Sequence, residues 1–391
     1  MRKELGSQSK YFLLLLSLLM TFFTFFPYVS LYSFGTDIQP VFIVFVFLYI
    51  SIIFFYRVLF KKIFVFLILP FLFSIMLMFL DADLFSSARS VLGYATICLV
   101  PIAFVYVLKK YNNLFILILK CSTIIYLIVG LIQFFINKSF LSFLLNRSST
   151  SEIRGVTSLA PEPTFYGLIC LFFILFFIAL DIQNKKKYIL ILLFQIFILA
   201  QSSMVIIFLC IFFVYQKICD LKLKSFVFTF LILMSMLFCL NYIHMIGGNY
   251  RIISIIKILT ENPLDILALD ESINDRASAI YFSIKGCLDN YFLPNGFSSY
   301  GAYMNLELPK QDVFLHSSSN TRIMSFYGGV LYELGIVGLL IPITYTVIII
   351  KSYGAENRPM FLYILFINTI LFSAIPMSFP FIGVYMACLV Y

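Results

Sequence analysis

The sequence predicts an all-α polytopic membrane protein, because it is too apolar for a water-soluble fold and its apolar residues form long uninterrupted runs. Of its 391 residues, 62% are hydrophobic and 12% are charged, whereas soluble domains have roughly 45–50% and 25%. A soluble protein of this composition would lack the polar surface needed to cover its core. A transmembrane β-barrel is disfavoured as well, since its strands would show ~10-residue segments of alternating hydrophobicity.

The apolar runs predict about eleven or twelve transmembrane helices in a single membrane domain that covers residues 1–391, since each crossing needs ~20 apolar residues. The number depends on residues 360–391, where Pro376 and Pro380 indicate either one broken helix or two short ones. The predicted spans lie near residues 11–33, 38–59, 63–80, 91–108, 113–136, 164–181, 186–201, 203–218, 225–246, 326–350 and 360–391.

The net charge of +9 reflects membrane topology rather than nucleic-acid binding, because the basic residues lie in short clusters between apolar runs. Connections rich in Lys and Arg stay in the cytoplasm, which predicts a cytoplasmic amino terminus. The connections 137–163 and 247–325 then face outward, the second as one large loop that contains short helices. The basic residues assigned to the cytoplasm are Arg2, Lys3, Lys10, Arg57, Lys61, Lys62, Lys109, Lys110, Lys185, Lys186, Lys187, Lys217, Lys222, Lys224, Lys351 and Arg358.

This orientation depends on residues 188–216, which are too few for two full spans and many for one. Gln201, followed by two serines, lies midway and predicts a tight turn between two helices. We adopt this two-helix interpretation. A single helix would instead place the basic residues of 217–224 outside and His316 in the cytoplasm.

The large outward loop is predicted to contain two short helices. Residues 251–259 are apolar but too short to span, which is typical of a helix lying at the membrane surface. Residues 274–288 predict a second helix that Asn274 or Asp275 would cap. Arg276 would then lie in the first turn, where the helix dipole disfavours a cation, and this favours a binding role for its guanidinium group.

Five elements in and next to the outward connections resemble a known family when their order and spacing are taken together. Residues 274–281 (NDRASAIY), 289–297 (DNYFLPNGF), His316 and 332–340 (YELGIVGLL) resemble the arginine, "dN-P-x-G-x-G", histidine and "E-x-G-x-x-G-L" elements of the O-antigen polymerase and O-antigen ligase superfamily. Residues 154–166 (RGVTSLAPEPTFY) resemble the "R-x-G-x-x-x-E-P-S" element of its polymerase branch. The resemblance covers roughly residues 150–340.

The resemblance implies an enzyme, a membrane glycosyltransferase that joins oligosaccharide repeat units carried on undecaprenyl pyrophosphate into O-antigen or capsular polysaccharide. The reaction would take place at the outer face of the bacterial inner membrane, with a chain-length regulator and a flippase as possible partners and no nucleic acid. Two alternatives stay open. One is an O-antigen ligase that transfers the glycan to lipid A core, and the other is a flippase or transporter of the lipid-linked oligosaccharide.

The chemistry of this transfer assigns roles to the outward residues. His316 is the candidate general base, because imidazole titrates near neutral pH. Arg154, Arg276 and Arg322 are candidates for holding the pyrophosphate, since guanidinium groups form bidentate bonds to phosphate oxygens and stay charged. Stabilisation by arginine would need no metal and no cofactor.

Three further positions have competing interpretations. Glu162, between two prolines at the mouth of a span, is a candidate catalytic carboxylate that could orient the histidine, bind a sugar hydroxyl, or hold Arg154. Arg147 either binds the substrate or anchors the loop to lipid headgroups. Asp81 and Asp83 resemble a short acidic metal motif, but they are also typical of an outward helix end, which is the interpretation we favour.

Overall fold

A computed structural model describes residues 7–30, 38–55, 62–81, 83–148, 155–219, 265–311, 323–354, 360–373 and 375–391. This part of the chain is nearly all helical and contains no strand, only an isolated antiparallel bridge between Val29 and Leu145. The helical class predicted from the sequence is therefore confirmed over these ranges. The predicted span at 225–246 and the predicted surface helix at 251–259 lie outside the described residues.

The helix bounds match most of the predicted apolar runs to within a few residues. The α-helices in chain order are α1 (Ser7–Phe25), α2 (Val41–Phe55), α3 (Val65–Leu80), α4 (Leu84–Phe135), α5 (Pro163–Ala179), α6 (Lys185–Phe194), α7 (Ser203–Cys219), α8 (Ile266–Leu269), α9 (Glu271–Asp289), α10 (Tyr300–Glu307), α11 (Phe326–Leu334), α12 (Leu340–Gly354), α13 (Met360–Ser373) and α14 (Phe381–Val390). A π-helical segment, Gln195–Ala200, extends α6, and a 3₁₀ segment, Gly335–Leu339, joins α11 to α12.

Two stretches of the described chain, Ser87–Phe135 and Phe326–Tyr353, are long and apolar enough to cross a membrane. The other apolar helices found there have 10–17 residues. The first long stretch is interrupted at Tyr111, whose backbone (φ −133°, ψ 39°) is not helical. This interruption falls between the two spans predicted at 91–108 and 113–136, so the chain changes direction where its sequence becomes polar.

The bounds of the described helices resolve two ambiguities of the sequence prediction, at residues 188–216 and at residues 360–391. The segment after α6 breaks at Gln201, which adopts a left-handed backbone with φ 46°, as the predicted turn requires. Near the carboxyl end, α13 and α14 are separate helices, and Pro380 immediately precedes α14. Proline lacks the backbone N–H of a helix interior but fits a helix start, which explains why the chain forms two short helices.

The chain divides into two compact units. The first consists of Met1–Val65, Ala95–Leu209 and Ser378–Tyr391, and the second of Phe66–Tyr94 and Cys210–Met377. Each unit brings together segments that are far apart in sequence.

The first unit is built around α5, which is buried along almost its whole length. A helix that is apolar on all sides is stable only when it is enclosed by other elements. Phe173 and Phe176 of α5 lie 5.6 and 6.1 Å, between ring centroids, from Phe381 of α14, and Phe25 of α1 lies 5.2 Å from Phe173. These aromatic contacts enclose the carboxyl-terminal half of α5.

The second unit contains α9 packed along α11. A Cβ atom at Gly328 would overlap Ser283 Oγ, and one at Gly286 would overlap the Tyr332 ring. The residue numbers increase on both helices from the first pair, Ser283 with Gly328, to the second, Gly286 with Tyr332. The helices α9 and α11 therefore run in the same direction. Small residues at such positions let two helices approach closely, which is why this packing needs glycine.

The amino-terminal end of α9 differs from the prediction. The helix begins at Glu271, three residues earlier, and Asp270 caps it by accepting a hydrogen bond from the Ile273 N–H at 3.0 Å. Asn274, predicted as a cap, lies inside the helix and is buried. Arg276 is therefore beyond the first turn, and the argument from the helix dipole does not apply to it.

Candidate functional site

The described residues include three of the six candidate site residues. Arg147 and Glu162 lie in the first unit, and Arg276 lies on α9 in the second unit. Arg154, His316 and Arg322 lie outside the described residues. The site is therefore characterised through the segments that surround these positions.

Glu162 and Arg147 form an ion pair at the start of α5. The Arg147 Nη2 donates to Glu162 Oε1 at 3.2 Å, and both side chains are partly exposed to solvent. Glu162 occupies the N-cap position and Pro163 begins the helix, where a negative charge also interacts favourably with the helix dipole. A pair with Arg154 was one of three roles that the sequence left open for Glu162, and Arg154 lies outside the described residues; the described partner of Glu162 is Arg147. An exposed pair of this kind contributes about 0–1 kcal/mol to stability.

The segment that leads to Glu162 is buried although it is not helical. Residues 155–161 are all buried, and Ser158 adopts a left-handed backbone with φ 50°. The Val156 N–H donates to the Leu199 carbonyl at 2.8 Å, and a Cβ atom at Gly155 would overlap the carbonyl oxygens of Leu199 and Ala200. The carboxyl end of the π-helical segment therefore holds this part of the connection in place.

Gln133 of α4 supplies the hydrogen bonds that this buried backbone needs. Its Oε1 accepts from the Ser158 N–H at 2.6 Å, and its Nε2 donates to the carbonyls of Ser158 and Phe140 at 2.9 and 2.8 Å. Buried backbone groups without such partners are costly, especially among apolar helices. Gln133 thus replaces the intrahelical bonds that residues 155–161 lack.

A second buried glutamine lies beside the first. Gln195 accepts a hydrogen bond from the Tyr166 hydroxyl at 2.9 Å and donates to the Thr123 carbonyl at 3.3 Å. The Tyr166 hydroxyl oxygen also lies 3.3 Å from the Tyr126 carbonyl oxygen, and Ser158 Oγ donates to that carbonyl at 2.9 Å. Our sequence interpretation missed this network, although glutamine inside an apolar run was a signal that could have found it.

In the second unit, two segments that carry motif-like residues are hydrogen-bonded to each other. The Asn295 N–H donates to the Tyr332 carbonyl at 3.1 Å, and the Ile336 N–H donates to the Phe292 carbonyl at 2.9 Å. Gly335 has φ 57° and ψ −138°, and a Cβ atom there would overlap the Phe292 carbonyl oxygen. The glycine is required because only a residue without a side chain fits both the backbone and the contact.

Glu333, on the same turn of α11, is buried and accepts a hydrogen bond from the Tyr94 hydroxyl at 2.8 Å. A buried carboxyl group needs such a donor to offset the loss of water. Close backbone packing occurs here as well, since a Cβ atom at Gly338 would overlap the Val330 carbonyl oxygen.

Asp81 and Asp83 mark the end of α3 and the start of α4, as the sequence indicated. Asp83 Oδ1 accepts from the Phe85 N–H at 3.1 Å, which caps α4. Asp81 Oδ1 accepts from Ser298 Oγ at 2.7 Å. Burial raises the pKa of Asp81, but hydrogen bonds, chiefly from Ser298, outweigh burial and hold the pKa below its ordinary value. This acidic connection therefore contacts the large loop.

Asp81 and Asp83 have no further candidate metal ligands grouped with them in the described part of the chain. There, no group of three or more His, Cys, Asp or Glu side chains is placed to hold a metal ion. Asp81 and Asp83 are instead explained by the helix cap and by the Ser298 hydrogen bond.

An ion cluster joins α9 to α10 in the large loop. Lys285 Nζ lies 2.6 Å from Glu307 Oε2, and Lys310 Nζ lies 2.6 Å from Glu307 Oε1. Hydrogen bonds from Lys285 and Lys310 hold the pKa of Glu307 below its ordinary value of 4.5, and the bond to Glu307 raises the pKa of Lys285. The cluster fixes the two loop helices relative to each other.

The pKa shift of Glu307 predicts a pH-dependent contribution to stability. A carboxylate with a lowered pKa stabilises the fold above its ordinary value of 4.5, and the contribution is lost as pH falls through the folded-state pKa. Glu307→Gln is expected to lower the melting temperature of the detergent-purified protein at neutral pH. The difference from the parent should narrow as the pH falls below 4.5.

The matched control is Lys310→Gln, which keeps the Lys285–Glu307 pair and should lower the melting temperature less. Melting temperatures of all three proteins would be measured across the acid range. A Glu307→Gln difference that stays constant with pH would show that this carboxylate does not contribute through its charge.

No protein-family model matches the sequence, and no curated protein compared with it gives a significant match. Support for a function therefore comes from the sequence motifs and their geometry. Within the described residues, the arrangement consists of a partly exposed Arg–Glu pair above a buried non-helical segment, and of two motif segments bonded together beside α9.

Proposed function

We propose that this protein is an integral membrane glycosyltransferase that polymerises oligosaccharide repeat units linked to undecaprenyl pyrophosphate. The proposed location is the bacterial inner membrane, with a cytoplasmic amino terminus and the loop 247–325 at the outer face. The two long apolar helices, the apolar composition and the clusters of basic residues support the membrane placement. The resemblance to the O-antigen polymerase and ligase superfamily supports the activity.

The observation that carries the proposal is the contact between residues 292–296 and 332–336. These segments resemble two separate motif elements of that superfamily, and they are joined by the hydrogen bonds of Asn295 and Ile336. Gly296 and Gly335 both have positive φ, 78° and 57°, which gives a physical reason for glycine at each position. The resemblance therefore concerns the order of the motif residues and also two motif segments that are hydrogen-bonded to each other.

In the proposed reaction, His316 accepts the proton of the acceptor sugar hydroxyl. The hydroxyl oxygen then bonds to the anomeric carbon of the donor, and the bond from that carbon to the pyrophosphate oxygen breaks. Arg154, Arg276 and Arg322 stabilise the negative charge on the departing lipid pyrophosphate. Glu162, paired with Arg147 at the mouth of α5, is proposed to bind or orient a sugar hydroxyl, with Arg147 as its support.

The test is reconstitution of the purified protein in vesicles with lipid-linked repeat units and no other enzyme. The parent is expected to give a ladder of polymer, and His316→Ala to reduce polymer formation by about 10²-fold or more, the scale of general-base catalysis. His244→Ala, which changes the other of the two histidines, is the matched control and should retain activity.

Each alternative predicts a different product. A ligase would transfer glycan to lipid A core without extending the chain, and a flippase would move the lipid-linked substrate across the vesicle membrane without joining units. A His316→Ala variant that still makes full-length polymer would rule out the base assignment. Loss of activity in both histidine variants would point to a structural defect instead.

A further inference from the structure

The turn between α9 and α10 exposes three large apolar residues, Tyr291, Phe292 and Leu293, which we call the apolar tip. Their relative exposures are 86%, 44% and 59%. Tyr291 and Phe292 also have positive φ, 53° and 60°, a backbone that costs about 1–3 kcal/mol for each residue other than glycine. The chain thus maintains a strained turn whose side chains it does not bury.

The apolar tip is fixed to one of the two long apolar helical stretches. The Phe292 carbonyl accepts from the Ile336 N–H at 2.9 Å, and Ile336 lies within the stretch Phe326–Tyr353. Ile336 is itself 63% exposed. Exposed apolar residues of the tip and Ile336 are therefore neighbours beside a helix that can cross a membrane.

The position of Ile336 along that helix indicates how deep this surface lies. Lys351, assigned to the cytoplasmic side, follows Ile336 by about 24 Å, at a rise of about 2.0 Å per residue in the 3₁₀ segment and 1.5 Å in α12. The hydrocarbon core is ~30 Å thick, so with Lys351 at its inner boundary Ile336 lies roughly 6 Å below its outer boundary. This step depends on the proposed membrane placement but not on the proposed catalytic activity.

The direction of α9 agrees with this depth. Because α9 runs parallel to α11, both helices approach the membrane towards their carboxyl ends. The exposed carboxylate of Asp289, which accepts from the Tyr303 hydroxyl at 2.6 Å, precedes the tip. Charged groups remain at the headgroup level, so only the residues after Asp289 can enter the hydrocarbon, a shallow insertion of about 5–10 Å.

We propose that Tyr291, Phe292 and Leu293, together with Ile336, insert into the acyl-chain region of the outer leaflet. The turn between α9 and α10 is then re-entrant and not wholly outside the membrane. Insertion supplies the apolar surroundings that the chain itself does not provide. It also holds the Asn295–Gly296 turn at the headgroup level, where the pyrophosphate of a lipid-linked substrate lies.

Tryptophan fluorescence tests this insertion, because the sequence contains no tryptophan. A single Tyr291→Trp substitution reports on the tip alone. The full-length variant would be placed in phosphatidylethanolamine and phosphatidylglycerol vesicles, with and without bromine on the acyl chains. Bromine quenches only tryptophan that lies close to it in the hydrocarbon, so strong quenching is expected.

Two matched variants provide reference values for strong and for weak quenching. Ile336→Trp reports on the long helix, and Leu306→Trp reports on an exposed apolar position of α10 beside the charged Glu307. Tyr291→Trp should be quenched nearly as strongly as Ile336→Trp and several-fold more than Leu306→Trp. If the tyrosine variant does not fold, Leu293→Trp serves as the second reporter.

The outcomes distinguish failure of the insertion proposal from failure of the proposed membrane placement. Quenching of Tyr291→Trp no greater than that of Leu306→Trp, with Ile336→Trp strongly quenched, overturns the insertion and leaves the membrane span intact. An unquenched Ile336→Trp overturns the membrane placement and with it this inference. Neither measurement depends on polymer formation, so failure of the proposed activity is detected separately.

Discussion

Replacing Gly335 by alanine is expected to destabilise the protein by about 2–6 kcal/mol, the sum of backbone strain and overpacking. The backbone at Gly335 has φ 57° and ψ −138°, a conformation that an L side chain rarely adopts. The new Cβ atom would also overlap the Phe292 carbonyl oxygen and lie 2.8 Å from the Leu293 carbonyl carbon. These are backbone atoms, so the strain cannot be relieved by a side-chain rotation.

Gly296→Ala is the matched control for this prediction. Gly296 also has positive φ, 78°, but a Cβ atom there would meet nothing within 4 Å. Gly296→Ala should therefore destabilise the protein only by the backbone strain, about 1–3 kcal/mol. Both variants would be compared by their melting temperatures in detergent and by polymer formation in vesicles. Equal losses in the two variants would show that the contact with residues 292–294 does not matter.

Replacing Gln133 by leucine is expected to cost about 2–6 kcal/mol, because two buried polar groups, the N–H and the carbonyl of Ser158, lose their partners at about 1–3 kcal/mol each. The partly buried carbonyl of Phe140 loses a partner as well. Leucine has a similar size but forms no hydrogen bonds. The segment 155–161 should then lose its fixed position ahead of Glu162, and polymer formation should fall together with the melting temperature.

The control for Gln133→Leu is Gln201→Leu. The Gln201 side chain makes an exposed hydrogen bond, from Nε2 to the Ile198 carbonyl at 3.1 Å, so its loss should cost well under the buried value. Limited proteolysis would locate the change, since release of 155–161 should create new cleavage sites in the Gln133 variant. A Gln133 variant as stable as the parent would contradict a structural role for this network.

The sequence determined the helical class and most helix positions for a simple physical reason. Long apolar runs such as that of α5 have too few polar residues for any exposed structure, and the prolines of 376–380 divide the last run. The turn at Gln201 was also accessible, because a polar cluster interrupts an apolar run there. Local composition alone decides these features.

Contacts between residues that are far apart in the sequence, or between alternative partners, could not be predicted in the same way. We predicted Asn274 or Asp275 as the cap of α9, whereas Asp270 caps the helix and Asn274 is buried, with its side-chain amide donating to the Leu267 carbonyl. Likewise, the sequence places arginines at two loop positions near Glu162, and its partner among the described residues is Arg147. When several residues of one type can fulfil a role, only the packing of the rest of the chain selects among them.

The sequence by itself therefore determined an apolar helical chain, the polar segments between its apolar runs and the motif residues within them. The tertiary structure alone decided that residues 155–161 are buried against Gln133, that Gly335 contacts the turn after α9, and that this turn exposes an apolar tip beside Ile336. The physical reason is the range of the forces involved. Apolar runs are specified by neighbouring residues, whereas hydrogen bonds and close contacts depend on atoms that the folded backbone brings together.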